Sequence, residues 1–136
     1  MKRTAAVAVM AALMSVSLVA VATAHTVKHD STVTFQVKFN GPEADTFEGK
    51  VRSDSDRCVA NRLVRIKRED ANGDVESVAG DTTNADGEYS VRTGRTLKPG
   101  TYYAVVRRKA LRENELHTHV CKRAFSSGGV IVDPAP

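Results

Sequence analysis

Thr32-Val33-Thr34-Phe35-Gln36-Val37-Lys38-Phe39 sets an apolar side chain at every second position, with Val33, Phe35, Val37 and Phe39 on one side and Thr34, Gln36 and Lys38 on the other. Side chains alternate faces along an extended chain, so this period of two describes a strand with one face buried and one in water. Asn40-Gly41-Pro42 stops it. Outward from there the period recurs. Phe47, Gly49 and Val51 oppose Glu48, Lys50 and Arg52, and residues 62–68 turn Val64 and Ile66 inward between Arg65 and Lys67. Residues 75–80 carry a weaker strand, and Tyr89 and Val91 alternate with Glu88, Ser90 and Arg92. Tyr102, Ala104 and Val106 share a face within 101–108, and residues 129–132 make a short last strand. Between these runs stand turn residues: Asn72-Gly73, expected to supply the positive φ angles of a tight hairpin, then Asp86-Gly87 and Lys98-Pro99-Gly100. About seven short strands at this spacing predict an all-β fold, a single antiparallel sandwich filled by Val, Ile, Phe and Tyr. Only residues 109–116, with Ala110, Leu111 and Leu116 among charges, offer a helical turn or two, and they read equally as an exposed connection.

The first 24 residues read as an address. Lys2 and Arg3 precede an unbroken apolar run over 5–14, extended by 18–22, and Ala22-Thr23-Ala24 supplies the small residues of a signal-peptidase site. The expected division is therefore 1–24 signal peptide, 25–45 N-terminal strand and linker, and 46–136 sandwich domain. An uncleaved anchor helix is the competing reading, because the run approaches the length of a bilayer crossing. Its alanine richness and the cleavage motif favour removal, leaving a secreted, extracytoplasmic protein with no stable membrane insertion. The whole chain of 136 residues has 20 Lys+Arg against 16 Asp+Glu. Loss of the leader removes two bases and no acid, so the charge excess falls from four to two. One modest domain is all this length supports, too little for a barrel enzyme or a two-domain dehydrogenase.

Cys58 and Cys121 are the only cysteines. In an oxidising compartment an even count favours a disulfide over two free thiols or a metal site. That bridge would close a loop over more than half of the exported segment, worth about 4 kcal/mol in the chain-entropy account.

Phe47-Glu48-Gly49-Lys50-Val51, Thr82-Thr83-Asn84-Ala85-Asp86-Gly87-Glu88-Tyr89 and Leu97-Lys98-Pro99-Gly100-Thr101-Tyr102-Tyr103-Ala104 resemble the strand entry, the Thr-x-x-Asp-Gly-x-Tyr turn and the Pro-Gly-x-Tyr strand of prealbumin-like (transthyretin-like) sandwiches. That group includes carboxypeptidase regulatory-like domains and Cna-B repeats, and the Cys pair makes the chain resemble its small secreted bacterial members. The resemblance covers about residues 46–132 and implies architecture, because this scaffold hosts unrelated functions.

Few residues point to chemistry. A Gly-x-Ser-x-Gly elbow, a phosphate-cradling glycine loop and a His-Glu-x-x-His helix are all missing, so no enzymatic activity and no cofactor are expected. His117 and His119 share a face if their segment is a strand, a spacing used by copper and zinc sites, but no third ligand is evident nearby. Cleavage after Ala24 would give His25 an amino group beside its imidazole, a second candidate for copper. Asp70-Ala71-Asn72-Gly73-Asp74, and Asp54 with Asp56, space oxygen donors as calcium loops do, though a hairpin already accounts for the first. The basic residues Arg65, Lys67 and Arg68, with Arg107, Arg108 and Lys109, would pool into one positive surface if their strands are neighbours. Outside the cytoplasm the natural partner of such a surface is an anionic envelope polymer or another surface protein, and not nucleic acid. The expected function is thus a secreted non-enzymatic binding or structural module of the bacterial cell envelope or medium. The alternative is an extracytoplasmic copper/zinc protein using His117 and His119, with His25 a further candidate. Replacing Cys58→Ser should lower the melting temperature by several degrees and leave the far-UV spectrum of a β protein unchanged, as read by circular dichroism.

Overall fold

The protein is described by a computed structural model over residues 22–41, 43–93 and 96–133. The signal peptide expected over 1–24 lies outside these residues except for its last three, which are exposed and belong to no regular element. In chain order the strands are β1 (His25–His29), β2 (Ser31–Val33), β3 (Gln36–Lys38), β4 (Thr46–Ser53), β5 (Leu63–Glu69), β6 (Val75–Thr82), β7 (Glu88–Arg92), β8 (Gly100–Val106), β9 (Lys109–Arg112), β10 (His117–Cys121), β11 (Ala124–Phe125) and β12 (Val130–Val132). One turn of 3₁₀ helix, Asp56–Cys58, follows β4. Among the described residues there is no α-helix, and no helix long and apolar enough to cross a membrane.

Two sheets face one another. In the smaller, β4 is flanked by β7 on one edge and by β2 and β3 in succession on the other. In the larger, the order is β6, β5, β8, and the far edge of β8 carries β11 and β12. The smaller sheet turns Val33, Phe47, Val51 and Tyr89 inward, and the larger turns Val64, Ile66, Tyr102, Ala104 and Val106 against them. These are the inward positions expected from the period of two. Each large apolar side chain so buried contributes about 1.5–3 kcal/mol. Phe35, Phe47 and Tyr102 run as a row of rings with centroids 5.7 and 5.6 Å apart. Cys58 and Cys121 are bonded and fully buried.

The structure departs from the sequence-based expectation in three places. The run 32–39 is two strands, because the chain folds over Gly49. There the Thr34 carbonyl accepts the Tyr89 hydroxyl at 2.6 Å, while the Thr34 Oγ1 accepts the Lys50 N–H at 2.8 Å. A Cβ on Gly49 would collide with that carbonyl and stand 2.6 Å from the Tyr89 oxygen. Burial of the hydroxyl among these groups drives the Tyr89 pKa far above its ordinary value.

The second departure is the β5–β6 turn, which is longer than a two-residue hairpin. Asp70 Oδ1 accepts the N–H groups of Asn72 and Asp74, and only Gly73, at φ 84°, has a positive φ. Asn84 Oδ1 does the same for Asp86 and Glu88, with Gly87 at φ 80°. One Asx-capped turn therefore serves twice, with Asp70 Oδ1 and Asn84 Oδ1 in the same role.

Third, residues 109–116 are neither helix nor bare connection. Their first four form β9, which with β10 and β1 makes a third, three-stranded sheet in which β1 runs parallel to β10. The segment 25–45 thus supplies three paired strands, and Val33 belongs to the core.

Gly49→Ala should lower the unfolding free energy by about 2 kcal/mol or more, measured by urea titration, because the clash is with backbone that holds a buried hydroxyl.

Candidate functional site

Antiparallel pairing of β5 and β8 sets Arg65 opposite Val105 and Lys67 opposite Tyr103. Since Val64, Ile66, Tyr102, Ala104 and Val106 face the core, these partners lie on the outer side of the larger sheet. Arg107 leaves the end of β8. Arg123 leads into β11, whose Phe125 pairs with Val105. Together Arg65, Lys67, Arg107 and Arg123 surround a hollow of about 270 Å³ completed by Ser77 and Val105. No carboxylate is among its lining residues. Lys67 donates to Ser77 Oγ, and the Arg123 guanidinium sits 5.2 Å from the centre of the exposed Phe125 ring. Four like charges around one concavity repel one another, and an anion entering it relieves that repulsion.

The expected basic group is brought together in part. Arg65, Lys67 and Arg107 converge. Arg68 follows Lys67 on the opposite parity and turns away, donating to Glu76 Oε1 at 2.8 Å and to the Pro99 carbonyl. Arg108 and Lys109 line a neighbouring hollow with Asn61, and Lys109 Nζ donates to the Asn61 carbonyl at 2.8 Å. Arg123 was not foreseen, because its membership depends on β11 returning to β8.

A larger hollow of about 600 Å³ lies over Gln36, Glu48, Lys50, Asp81 and Glu88. Three carboxylates stand there against one ammonium: Glu48 accepts from Gln36, Lys50 stands 3.9 Å from Glu88, and Asp81 accepts the N–H groups of Thr82 and Ser90. Its excess is acidic and half the size of the basic one around the smaller hollow.

The histidines gather on the third sheet. The register sets His25 beside His117, Val27 beside His119 and His29 beside Cys121. With period two, all four imidazoles share one face. They form two dyads, and neither joins His117 to His119. The His25 and His117 rings meet edge to face with centroids 6.1 Å apart. His29 Nε2 lies 2.9 Å from His119 Nδ1, in rings tilted by only 17°. On the outer side of each ring stands a carboxylate: Asp54 Oδ1 is 3.2 Å from His29 Nδ1, and Glu113 Oε2 is 3.2 Å from His119 Nε2. Glu113 also accepts from Arg57 at 3.1 Å, and hydrogen bonds from Arg57 and His119 hold its carboxyl below the ordinary glutamate range. Among the described residues no three His, Cys, Asp or Glu side chains converge on a point that could hold a metal. The only trace of His29 in the sequence is its parity with His25 and Val27.

Arg62 is the polar residue that sequence reasoning missed. It is fully buried immediately before β5, beside the disulfide. Its Nη1 donates to the Cys58 carbonyl at 2.6 Å and to Ser31 Oγ at 3.1 Å, and its Nη2 donates to the carbonyls of Arg107 at 2.9 Å and Lys122 at 3.0 Å. Burial lowers its pKa.

Against known proteins, the chain matches no family model, no curated protein and no solved structure.

Proposed function

We propose that the chain is an exported, non-enzymatic module of prealbumin-like type that binds an anionic polymer of the bacterial cell envelope through the outer face of the β5–β8 sheet. The observation that carries this reading is the hollow lined by Arg65, Lys67, Arg107 and Arg123, with no carboxylate in its lining. Guanidinium forks match phosphate and carboxylate groups in two-point hydrogen bonds, and a repeating polyanion engages several of them at once. Export is supported by the apolar leader with its Ala22-Thr23-Ala24 end, by the buried Cys58–Cys121 bridge and by the start of β1 at His25, the first residue after that motif. The prealbumin-like assignment is supported by its signatures falling at the Asx-capped turn before β7 and at the Pro99-Gly100 entry to β8.

Binding of the full chain to a polyglycerol phosphate and to a polyuronate tests this. Affinity should fall about tenfold between 50 and 300 mM salt, and about tenfold again in the double variant Arg65→Glu/Arg107→Glu with its melting curve retained. Arg92→Glu, on the other sheet and paired with Glu43, should bind as the parent does. Affinity indifferent to salt and to the double reversal would overturn the proposal, as would capture of an acidic protein with neither polymer bound.

A further inference from the structure

The outer face of the larger sheet carries rings as well as cations. Residues 101, 103 and 105 of β8 project from it, because Tyr102, Ala104 and Val106 project into the core. Pairing sets Phe125 of β11 beside Val105, and the Phe125 and Tyr103 rings lie with centroids 6.4 Å apart and planes tilted by 37°. Phe125 is 57 % exposed, whereas Val105, which lines the basic hollow beside it, is only 2 % exposed. Across β8, Arg65 stands opposite Val105 and Lys67 opposite Tyr103. Each cross-strand row thus runs from a cation to a ring: Arg65, Val105 and Phe125 in one, Lys67 and Tyr103 in the next. The Arg123 guanidinium, 5.2 Å from the Phe125 ring centre, adds a cation beyond the ring. Tyr89 and Tyr102 donate their hydroxyls to the carbonyls of Thr34 and Lys98, while the Tyr103 hydroxyl has no hydrogen-bond partner among the described residues. In the row after Tyr103, Glu69 stands opposite Thr101 with Ile131 on the other side, and there the basic run ends.

On the reading that this face binds an anionic polymer, we propose that the polymer is an acidic polysaccharide of the uronate type, with its carboxylates on Arg65, Lys67, Arg107 and Arg123 and its sugar rings against Tyr103 and Phe125. A ligand that offered charge alone would use the cations and leave the rings in water. Each unit of a uronate chain carries both parts, a carboxylate and a pyranose ring with a flat patch of C–H groups. The carboxylate takes a two-point hydrogen bond from a guanidinium fork. The C–H patch packs on an aromatic face, whose quadrupole is negative, and expels water from it. The open Tyr103 hydroxyl is placed to exchange a hydrogen bond with a sugar hydroxyl. A glycerol phosphate chain has the charges but no ring, and only small polar carbons between its phosphates. It is also the more flexible chain, so it loses more conformational freedom on docking.

Titration of the full chain with polygalacturonate, with polyglycerol phosphate of matched charge and with phosphatidylglycerol vesicles tests it. Polygalacturonate should bind about tenfold more tightly than polyglycerol phosphate, and the preference should survive high salt, which screens the charges and not the ring contacts. Phe125→Leu and Tyr103→Leu, which keep an apolar side chain without a ring, should each weaken polygalacturonate about fivefold and leave polyglycerol phosphate unchanged. Phe125→Tyr and Tyr103→Phe keep the rings and should keep the preference, so the contrast between the two kinds of variant decides even where a leucine lowers stability. Ile131→Ser, 71 % exposed on the same face but outside the basic rows, should bind both polymers as the parent does. Equal affinity for the two polymers, untouched by either leucine, would overturn the inference and leave the charge-based reading standing, whereas binding to neither would remove both. Tighter binding to the vesicles, lost in Ile131→Ser, would make a bilayer the occupant, and a dimer in solution dissociated by Phe125→Leu would make it a second copy of this chain. Either result would also overturn the proposal.

Discussion

One guanidinium ties four separate stretches of chain. Arg62 reaches the start of β2 at Ser31, the 3₁₀ turn at Cys58, the exit of β8 at Arg107 and the exit of β10 at Lys122. The Arg62 backbone exchanges hydrogen bonds with Thr83, whose hydroxyl donates in turn to the Val59 carbonyl. A buried cation without a carboxylate partner is costly to desolvate, and here neutral carbonyl and hydroxyl acceptors serve Nη1 and Nη2 while the buried Nε has no partner among the described residues. Removing the side chain strands those acceptors inside the protein, which makes the interaction a constraint as well as a bond. Because Cys58 supplies both an acceptor and a sulfur, the disulfide and the arginine secure the same corner.

That corner joins the third sheet to the sandwich. β10 runs directly into Cys121 and Lys122, so its end is held by the disulfide and by Arg62 together. β1 is then carried by β10 through parallel pairing. The dyad His29–His119 therefore exists only where this attachment holds, although Arg62 touches neither ring. The basic hollow depends on it as well, because Arg107 and Arg123 flank the anchored carbonyls of Arg107 and Lys122.

Much of the sandwich was legible in the sequence because burial of one face writes a period of two. β4, β5, β7 and β8 follow that rule, and Val64, Ile66, Tyr102, Ala104 and Val106 point where alternation sends them. The third sheet follows it weakly. His25–His29, Lys109–Arg112 and His117–Cys121 are polar on both faces for most of their length, and the β1–β10 pairing joins residues about ninety positions apart. No local pattern records such a partnership. The break at Thr34 arises from a hydroxyl on another strand and a glycine opposite. Arg62 reads locally as one more cation at a strand end, and only the assembled carbonyls explain its burial. Within the candidate site, parity alone would have set Arg68 apart from Arg65 and Lys67, whereas Arg123 needed the return of β11.

The most direct test of this dependence keeps the charge and removes the fork. A lysine at position 62 is a single point donor that cannot span acceptors on both sides. Comparison of Arg62→Lys with the parent by urea unfolding and native-state hydrogen exchange should give a loss of about 2–3 kcal/mol, with amides of β1, β9 and β10 losing protection before those of β5 and β8. An unfolding free energy within about 0.5 kcal/mol of the parent, with the third sheet still as protected as the sandwich, would contradict it.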